Sequence, residues 1–412
     1  MKSDASAKRG REKIEWAKAH MPVMQTVEKE LTEKKSLEGI RIGMALHVEA
    51  KTAVLATTLK KAGADVRLAG CNPLSTDNDV VVALQRYWGL PVFARKGESN
   101  KKYYDHLRAV LSYNPNYIID DGGDLISLVH REFPELISGI RGGNEETTTG
   151  IVRLRAMARE GALGFPVMDV NDAMMKHLFD NRYGTGQSTF DGIFSATNLL
   201  IAGKNFVVGG YGWCGRGIAM RAKGMGANVI VTEIDPIKAV EAIHDGFRVM
   251  PMIEAAKEAD FIVTATGVRD IVRKEHFEVL KDGCVLANSG HFNNEINVFQ
   301  LSRMASRTKR VREMVKEFTM PDGRKIYLLA DGRLVNLAAG QGHPVEIMDM
   351  SFAIQALSVE YLLNHDMEPG VHRVPLELDE RVARIKLESS GVRIDVLTKR
   401  QKDYINSWKE GT

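Results

Sequence analysis

No apolar run in the 412-residue chain approaches the roughly 20 residues a membrane-crossing helix needs, which excludes a helical membrane protein. Cysteine is scarce: Cys71, Cys214 and Cys284 lie far apart. That excludes a disulfide scaffold, gives no metal-ligand spacing, and suits a reducing cytosol. Excess charge is missing too. With 56 basic against 53 acidic residues, the net charge of +3 is too small and too evenly spread to draw nucleic acid or an anionic membrane. The longest basic stretch, SRMASRTKRVR (302–312), reads as a solvated helix face. The N-terminal MKSDASAKRGREKIEW has no apolar core of a signal peptide. The expectation is a soluble cytoplasmic protein with no metal site.

What is present is an ordinary globular composition, 44% hydrophobic and 26% charged, over a length that fits two or three domains. From residue 40 onward, short apolar runs alternate with amphipathic segments. IRIGMAL (40–46) reads as a strand, EAKTAVLATTLKKAG (49–63) as a helix, ADVRLAG (64–70) as a strand, and YIID (117–120) as another. A second series begins at NFVVGG near Asn205 and runs through NVIVTEI, DFIVTATG and CVLANSG. This is βαβ punctuation, so parallel sheets with helices on both faces are expected. Between the series, NDAMMKHLFDNRYGTGQSTFDGIFSATNLLIAG (171–203) reads as helical, with glycines suited to a hinge. The last forty residues, from PLELDERVARIKLESSG onward, read as charged, helical and separate.

The segment GGYGWCGRG (209–217) sits where an apolar strand ends and a helix begins. Glycines there permit a tight bend in any protein. Gly210, Gly212 and Gly215, however, have the spacing that cradles a dinucleotide pyrophosphate at a helix N-terminus. Glu233 follows Gly212 by twenty-one residues, at the end of the next strand. An acid there accepts from the adenosine ribose hydroxyls and repels a 2′-phosphate, which favours NAD over NADP.

A dehydrogenase needs little more than one acid–base residue. This chain carries polar groups at several expected strand ends upstream: His47, Asn72 and Ser75, Asp120 and Asp121, Glu145 to Thr149, then Lys176, Asp180 and Asn181. Carboxyl ends of strands are where open α/β sheets hold ligands, so a second small-molecule site is implied. Taken singly, each has an ordinary reading. His47 is equally at home in a core, EETTTG makes a helix cap, Asp180 and Asn181 also cap helices, and Lys176 solvates easily.

Taken in order, WAKAHMPV, LHVEAKTAVL, CNPLST, DDGGDL, EETTTG, NDAMMKHLFDNRYG, GYGWCGRG, TEIDP, NSGHFNNEI and GRLVNLAAGQGHP resemble the S-adenosylhomocysteine hydrolase family from about Ile14 almost to the end. HVEAKT and the terminal YINSWKEGT resemble its shorter, archaeal-type branch. The resemblance implies an α/β fold of two Rossmann-like, doubly wound parallel-sheet domains facing across a cleft, with a small helical C-terminal tail. Residues 1–182 would bind substrate, with a return segment at 344–375; 183–343 would bind NAD; 376–412 would form the tail.

It also implies a reaction. An unactivated C5′–S bond breaks once the ribose C3′ hydroxyl is oxidised, because the C4′ proton then becomes acidic and its loss expels homocysteine thiolate. Water adds, and C3′ is reduced again. By resemblance, the catalytic residues are His47, Asp121, Glu146, Lys176, Asp180 and His291. Lys176 would take the 3′-hydroxyl proton, which calls for a lowered pKa. Asp121 would act toward C4′, and His47 with His291 on the 5′ side. Substrate contacts add Glu49, Lys51, Thr52, Asn72, His343 and Met348. NAD contacts are Thr147, Thr148, Thr149, Asn181, Gly210, Gly212, Cys214, Gly215, Glu233, Asp235, Asn336 and His343. A homotetramer is also implied.

The chain departs from the pattern in places. Many relatives read HMTVET where HVEAKT stands, so Lys51 replaces a glutamate that accepts from the adenine 6-amino group; a lysine only donates. Either Lys51 favours a 6-oxo purine, making S-inosylhomocysteine a substrate, or it pairs with Glu49 and leaves the purine to other groups. STDN replaces STQD at Asp77 and Asn78, and Thr185 stands where a cysteine is frequent. The KPDHYRY tail of many relatives is absent, which implies a more readily exchanged cofactor, with Lys409 at most a partial replacement. The rival readings are a plain NAD-dependent dehydrogenase and a silent NAD-binding protein.

Overall fold

The computed structural model describes residues 2–409. Its first six strands, β1 (Arg41–Leu46), β2 (Asp65–Gly70), β3 (Val92–Phe93), β4 (Tyr117–Asp120), β5 (Gly143–Glu145) and β6 (Pro166–Asp169), are short and largely buried. Such strands read as near-continuous apolar runs because helices cover both faces. A second sheet follows from β7 (Asn205–Gly209), β8 (Asn228–Thr232), β9 (Arg248–Val249), β10 (Phe261–Thr264), β11 (Val285–Asn288), β12 (Arg307–Arg312), β13 (Val315–Thr319) and β14 (Lys325–Leu329). The chain then returns through the long helix Val345–Asn364, and β15 (Gly370–Arg373) joins the first sheet beside β6.

The first sheet is parallel throughout, in the order β15-β6-β5-β4-β1-β2-β3. The second runs β12-β13-β14-β11-β10-β7-β8-β9, parallel except where β13 pairs antiparallel with β12 and β14. Each sheet reverses its winding beside its first strand: β4 and β2 flank β1, and β10 and β8 flank β7. The loops after β1 and β4, and after β7 and β10, therefore open into the crevice where doubly wound sheets bind ligands.

Three sequence expectations change. The basic stretch is helical only at its start, Ser302–Met304; Arg307–Arg312 form an exposed edge strand, β12, whose charges deter a further strand from adding there. The glycines of 171–203 serve close packing more than a loose hinge. A Cβ on Gly186 would lie 2.7 Å from the Gly217 carbonyl oxygen, and one on Gly192 would lie 2.3 Å from that of Val335. The chain there forms a wide π-helical turn, His177–Gly184, running into helix Thr185–Thr197. Finally, the terminal segment is not separate from its start. Helix Leu376–Ser389 sinks Leu378, Val382 and Ile385 into the first core, and its Asp379 carboxylate accepts from the Met174 and Met175 amides. Only residues beyond Ser389 stand away from it, and the last three of YINSWKEGT lie outside the described residues. Among the described residues no helix is long and apolar enough to cross a membrane.

Candidate active site

A cleft of about 1480 Å³ lies between the two sheets. That exceeds the roughly 300–1,000 Å³ of an ordinary small-molecule pocket and leaves room for a dinucleotide and a nucleoside together.

One wall is built from the second sheet. Gly210 follows β7 at φ 93°, a left-handed conformation that glycine adopts freely. Gly212 begins helix Trp213–Gly224 with no side-chain cap, and a Cβ there would meet open space. The free N–H groups of the first turn thus face the cleft, as a pyrophosphate requires. Gly215 does not line the cleft; a Cβ on it would lie 2.0 Å from the Gly210 carbonyl oxygen, so it lets the helix press against the loop. Glu233 follows β8 and accepts from the amides of Tyr211 at 2.7 Å, Ile234 at 2.7 Å and Asp235 at 3.0 Å. Asn336 is buried, and its Oδ1 has no partner among the described residues, leaving an acceptor for a ligand donor. These features fit NAD. Cys214, Asp235 and Thr147 to Thr149 also line the cleft, the threonines from the opposite wall.

The opposite wall carries the ionisable groups, in two clusters. In the first cluster Lys176 Nζ donates to Asn181 Oδ1 at 2.7 Å and lies 3.4 Å from Glu146 Oε1 and 3.7 Å from Asp180 Oδ2. Asp180 also accepts from Ser351 Oγ at 2.7 Å and meets His343 Nδ1 at 2.5 Å. Burial pulls the Lys176 ammonium toward neutrality, but Asp180 and Glu146 outweigh it and hold its pKa above the ordinary lysine value. The lowered value that a base calls for is therefore not what these neighbours produce. Burial raises the Glu146 carboxyl to about 8, with Lys176 opposing. Burial also works to raise Asp180, yet Lys176 and His343 hold it well below the usual range.

In the second cluster, His47 follows β1, Asp121 follows β4, and His291 follows β11 on the second sheet. His47 Nε2 is 3.3 Å from Asp121 Oδ2, and His291 Nδ1 is 3.7 Å from Asp121 Oδ1. Burial lowers the His47 pKa, with the Asp121 carboxylate opposing it. His47 Nδ1 meets Ser75 Oγ at 2.6 Å, and Cys71 Sγ lies 3.5 Å from Asp121 Oδ2. The ligand-type atoms of His47, Asp121 and His291 all fall within 4.8 Å of one another, the one such trio among the described residues.

Glu49, Lys51, Thr52, His343 and Met348 also line the cleft. Lys51 Nζ is 3.0 Å from Glu49 Oε2 and donates to the Gln341 carbonyl at 3.0 Å, so the pair with Glu49 forms without using every N–H of the ammonium. Asn72 does not line the cleft; its Oδ1 accepts from the Leu74 amide and shapes the loop that presents Ser75. Asp77 caps helix Asn78–Trp88 and pairs with Lys13, so the STDN change sits behind the wall. Thr185 Oγ1 lies 3.5 Å from Cys214 Sγ and 3.3 Å from His343 Nε2. Sequence reasoning missed Asn171, Ser351 and Gln355. Asn171 opens the NDAMMKHLFDNRYG motif, but the other two lie in a helix whose pattern signals only burial.

Comparison with known proteins places the chain in a family. The NAD-binding domain model of S-adenosyl-L-homocysteine hydrolase matches residues 181–342, and the S-adenosyl-L-homocysteine hydrolase model matches 1–134. The chain is 57% identical over 408 residues to an adenosylhomocysteinase of Aquifex aeolicus, covering 98% of each. It is also 57% identical to an S-inosyl-L-homocysteine hydrolase of Methanothermobacter thermautotrophicus, covering 100% of this chain and 99% of that one. Among solved structures, a dipicolinate synthase from Bacillus halodurans shares the fold alone: TM-score 0.50, 12% identity, over 80% of this chain and 100% of that one. On these matches, the chain belongs to the S-adenosyl-L-homocysteine hydrolase family.

Proposed function

We propose that the protein reversibly cleaves S-adenosyl-L-homocysteine to adenosine and L-homocysteine. The observation that carries this is the pairing of two proton-handling clusters, Lys176–Glu146–Asp180 and His47–Asp121–His291, in one cleft beneath a glycine loop. When bound, NAD supplies reversible two-electron oxidation of the ribose. Lys176 moves the proton of the ribose 3′-hydroxyl, and Glu146 and Asp180 hold the hydroxyls in place. Asp121 handles the proton at the adjoining carbon. His47 and His291 serve the sulfur side, giving a proton to the departing thiolate and orienting water. Residues 1–182 with 344–375 form the substrate domain and 183–343 the cofactor domain.

The test is thiol release from S-adenosylhomocysteine with NAD supplied and absorbance followed at 340 nm. Thiol with no more than one equivalent of NADH per site supports the reading; continuous NADH without thiol makes the protein a dehydrogenase.

One observation favours a second reading, the S-inosyl compound as substrate. Lys51 lines the cleft, and two of its three N–H groups are engaged by Glu49 and Gln341, leaving one donor for a 6-oxo purine. Comparing the two thioethers in wild type and Lys51→Glu decides it; an adenosyl preference unchanged by the substitution removes the inosyl reading.

We also infer self-association into a homotetramer in the cytoplasm. Val396, Ile405 and Trp408 of the tail are 81%, 63% and 90% exposed on the single chain, and a second copy would cover them. A monomeric mass by light scattering would end that reading.

A further inference from the structure

The return helix Val345–Asn364 is apolar along most of its length, yet Asp349, Ser351, Gln355 and Ser358 are fully buried in it. Polar groups persist in a core only when partnered. Asp349 accepts from the Val23 and Met24 amides at the start of another helix, which accounts for it structurally. Gln355 has a different set of partners. Asn144 Nδ2 donates both to the main-chain carbonyl of Gln355 at 3.0 Å and to its Oε1 at 2.8 Å. A carbonyl only accepts, so the NH₂ end of Asn144 must face the helix. The Asn144 oxygen then accepts from Tyr117 Oη at 2.7 Å. With Gln355 Oε1 already accepting, its Nε2 is the end aimed at Glu146, donating to Oε2 at 2.6 Å. One backbone carbonyl thus fixes the orientation of three buried side chains.

We propose that the Tyr117–Asn144–Gln355 relay makes Gln355 a positioning residue for the reaction: it occupies Oε2 of Glu146, so that a proton taken up by Glu146 must sit on Oε1, facing Lys176. This inference rests on the hydrolase reading and deepens it. Oε1 is 3.4 Å from Lys176 Nζ. Transfer there breaks one N–H bond and forms one O–H bond, turning ammonium and carboxylate into amine and acid with no change in net charge. A buried ion pair favours that exchange when its solvation is poor. The exchange gives Lys176 the lone pair it needs, although its neighbours hold its pKa high. The titratable groups facing Glu146 are Lys176, Asp180 and Asp121, and Asp180 is itself engaged by Ser351 and His343. Lys176 and Gln355 both favour the ionised carboxylate, against burial and the two aspartates.

The test is Gln355→Met, which keeps the side-chain length and deletes the donor. Removing a bond to the charged form makes Glu146 easier to protonate, so the rising limb of the pH–rate profile moves to higher pH by about one unit. At neutral pH kcat falls about tenfold while KM stays within about threefold. A purely structural role would lower the whole profile without moving its midpoint, and that result overturns the proposal. Tyr117→Phe, which deletes only the far hydroxyl, gives a smaller shift in the same direction and covers a Gln355→Met chain that fails to fold. Titration of ¹³C-labelled glutamate carboxyls, with Glu146→Gln assigning the signal, reads the same shift without turnover. A wild type that releases no thiol defeats the hydrolase reading while this titration still decides the relay, and an unmoved Glu146 midpoint in both variants defeats the relay.

Discussion

The two walls of the cleft are made of different material. The second-sheet wall works mainly through main-chain geometry: a left-handed glycine, an uncapped helix start, and a glutamate whose oxygens are filled by three amides. The first-sheet wall works through buried side-chain charge, with carboxyl groups pushed apart in proton affinity, Glu146 upward and Asp180 downward. Holding a cofactor that is reused needs fixed donors and little chemistry. Moving protons at two positions of a sugar needs groups whose affinities differ, and an environment dry enough to keep them different.

The sharpest way to break this contrast is to strip the first wall alone. Lys176→Met is expected to lower turnover by about 10³-fold while NAD content after desalting stays at the wild-type level. Loss of both together would show that the walls are not independent. The converse change is Gly215→Ala. Its Cβ would collide with the Gly210 carbonyl, so about 2 kcal/mol of strain, roughly 30-fold in NAD affinity by titration, is expected. Substrate binding should persist. A milder form is Glu233→Gln, which weakens NAD about tenfold and narrows its margin over NADP, measured by parallel titrations.

The smallest effect lies outside both walls. Asp79 is tied to Arg9, Ser6 and Lys13 of the N-terminal helix, and the Arg9 hydrogen bond leads in holding its carboxyl well below the ordinary aspartate value. A depressed folded pKa contributes stability that is complete above the unfolded value of about 3.9 and is lost as pH falls through the folded one. Asp79→Asn is expected to cost about 0.5 kcal/mol at pH 7, with the two thermal midpoints converging in acid.

The walls also differed in how far sequence revealed them. Gly210, Gly212 and Glu233 sit on one βαβ unit, where spacing along the chain is spacing in space. The pairings of the first wall cross long distances: Gln355 reaches Glu146 across 209 residues, and Ser351 reaches Asp180 across 171. An apolar helix signals that it is buried, not what its few polar residues will touch. The basic strand β12 misled for a related reason, since a charged run has no period that separates an exposed edge from an exposed helix. The raised proton affinity of Lys176 was out of reach as well, because it depends on two acids converging from separate elements.

The chain passes between the sheets twice, at the π-helical turn His177–Gly184 and at the GQGHP segment before the return helix. The crossings lie side by side, with His343 against Asp180 and the Gln341 amide on Asp191 Oδ2. A single tether would leave the two halves free to twist as well as swing. Two adjacent crossings tie the halves at neighbouring points and restrain their relative twist. His291 is thereby held opposite His47 and Asp121, and the registry of these three side chains is set by the connectivity of the backbone.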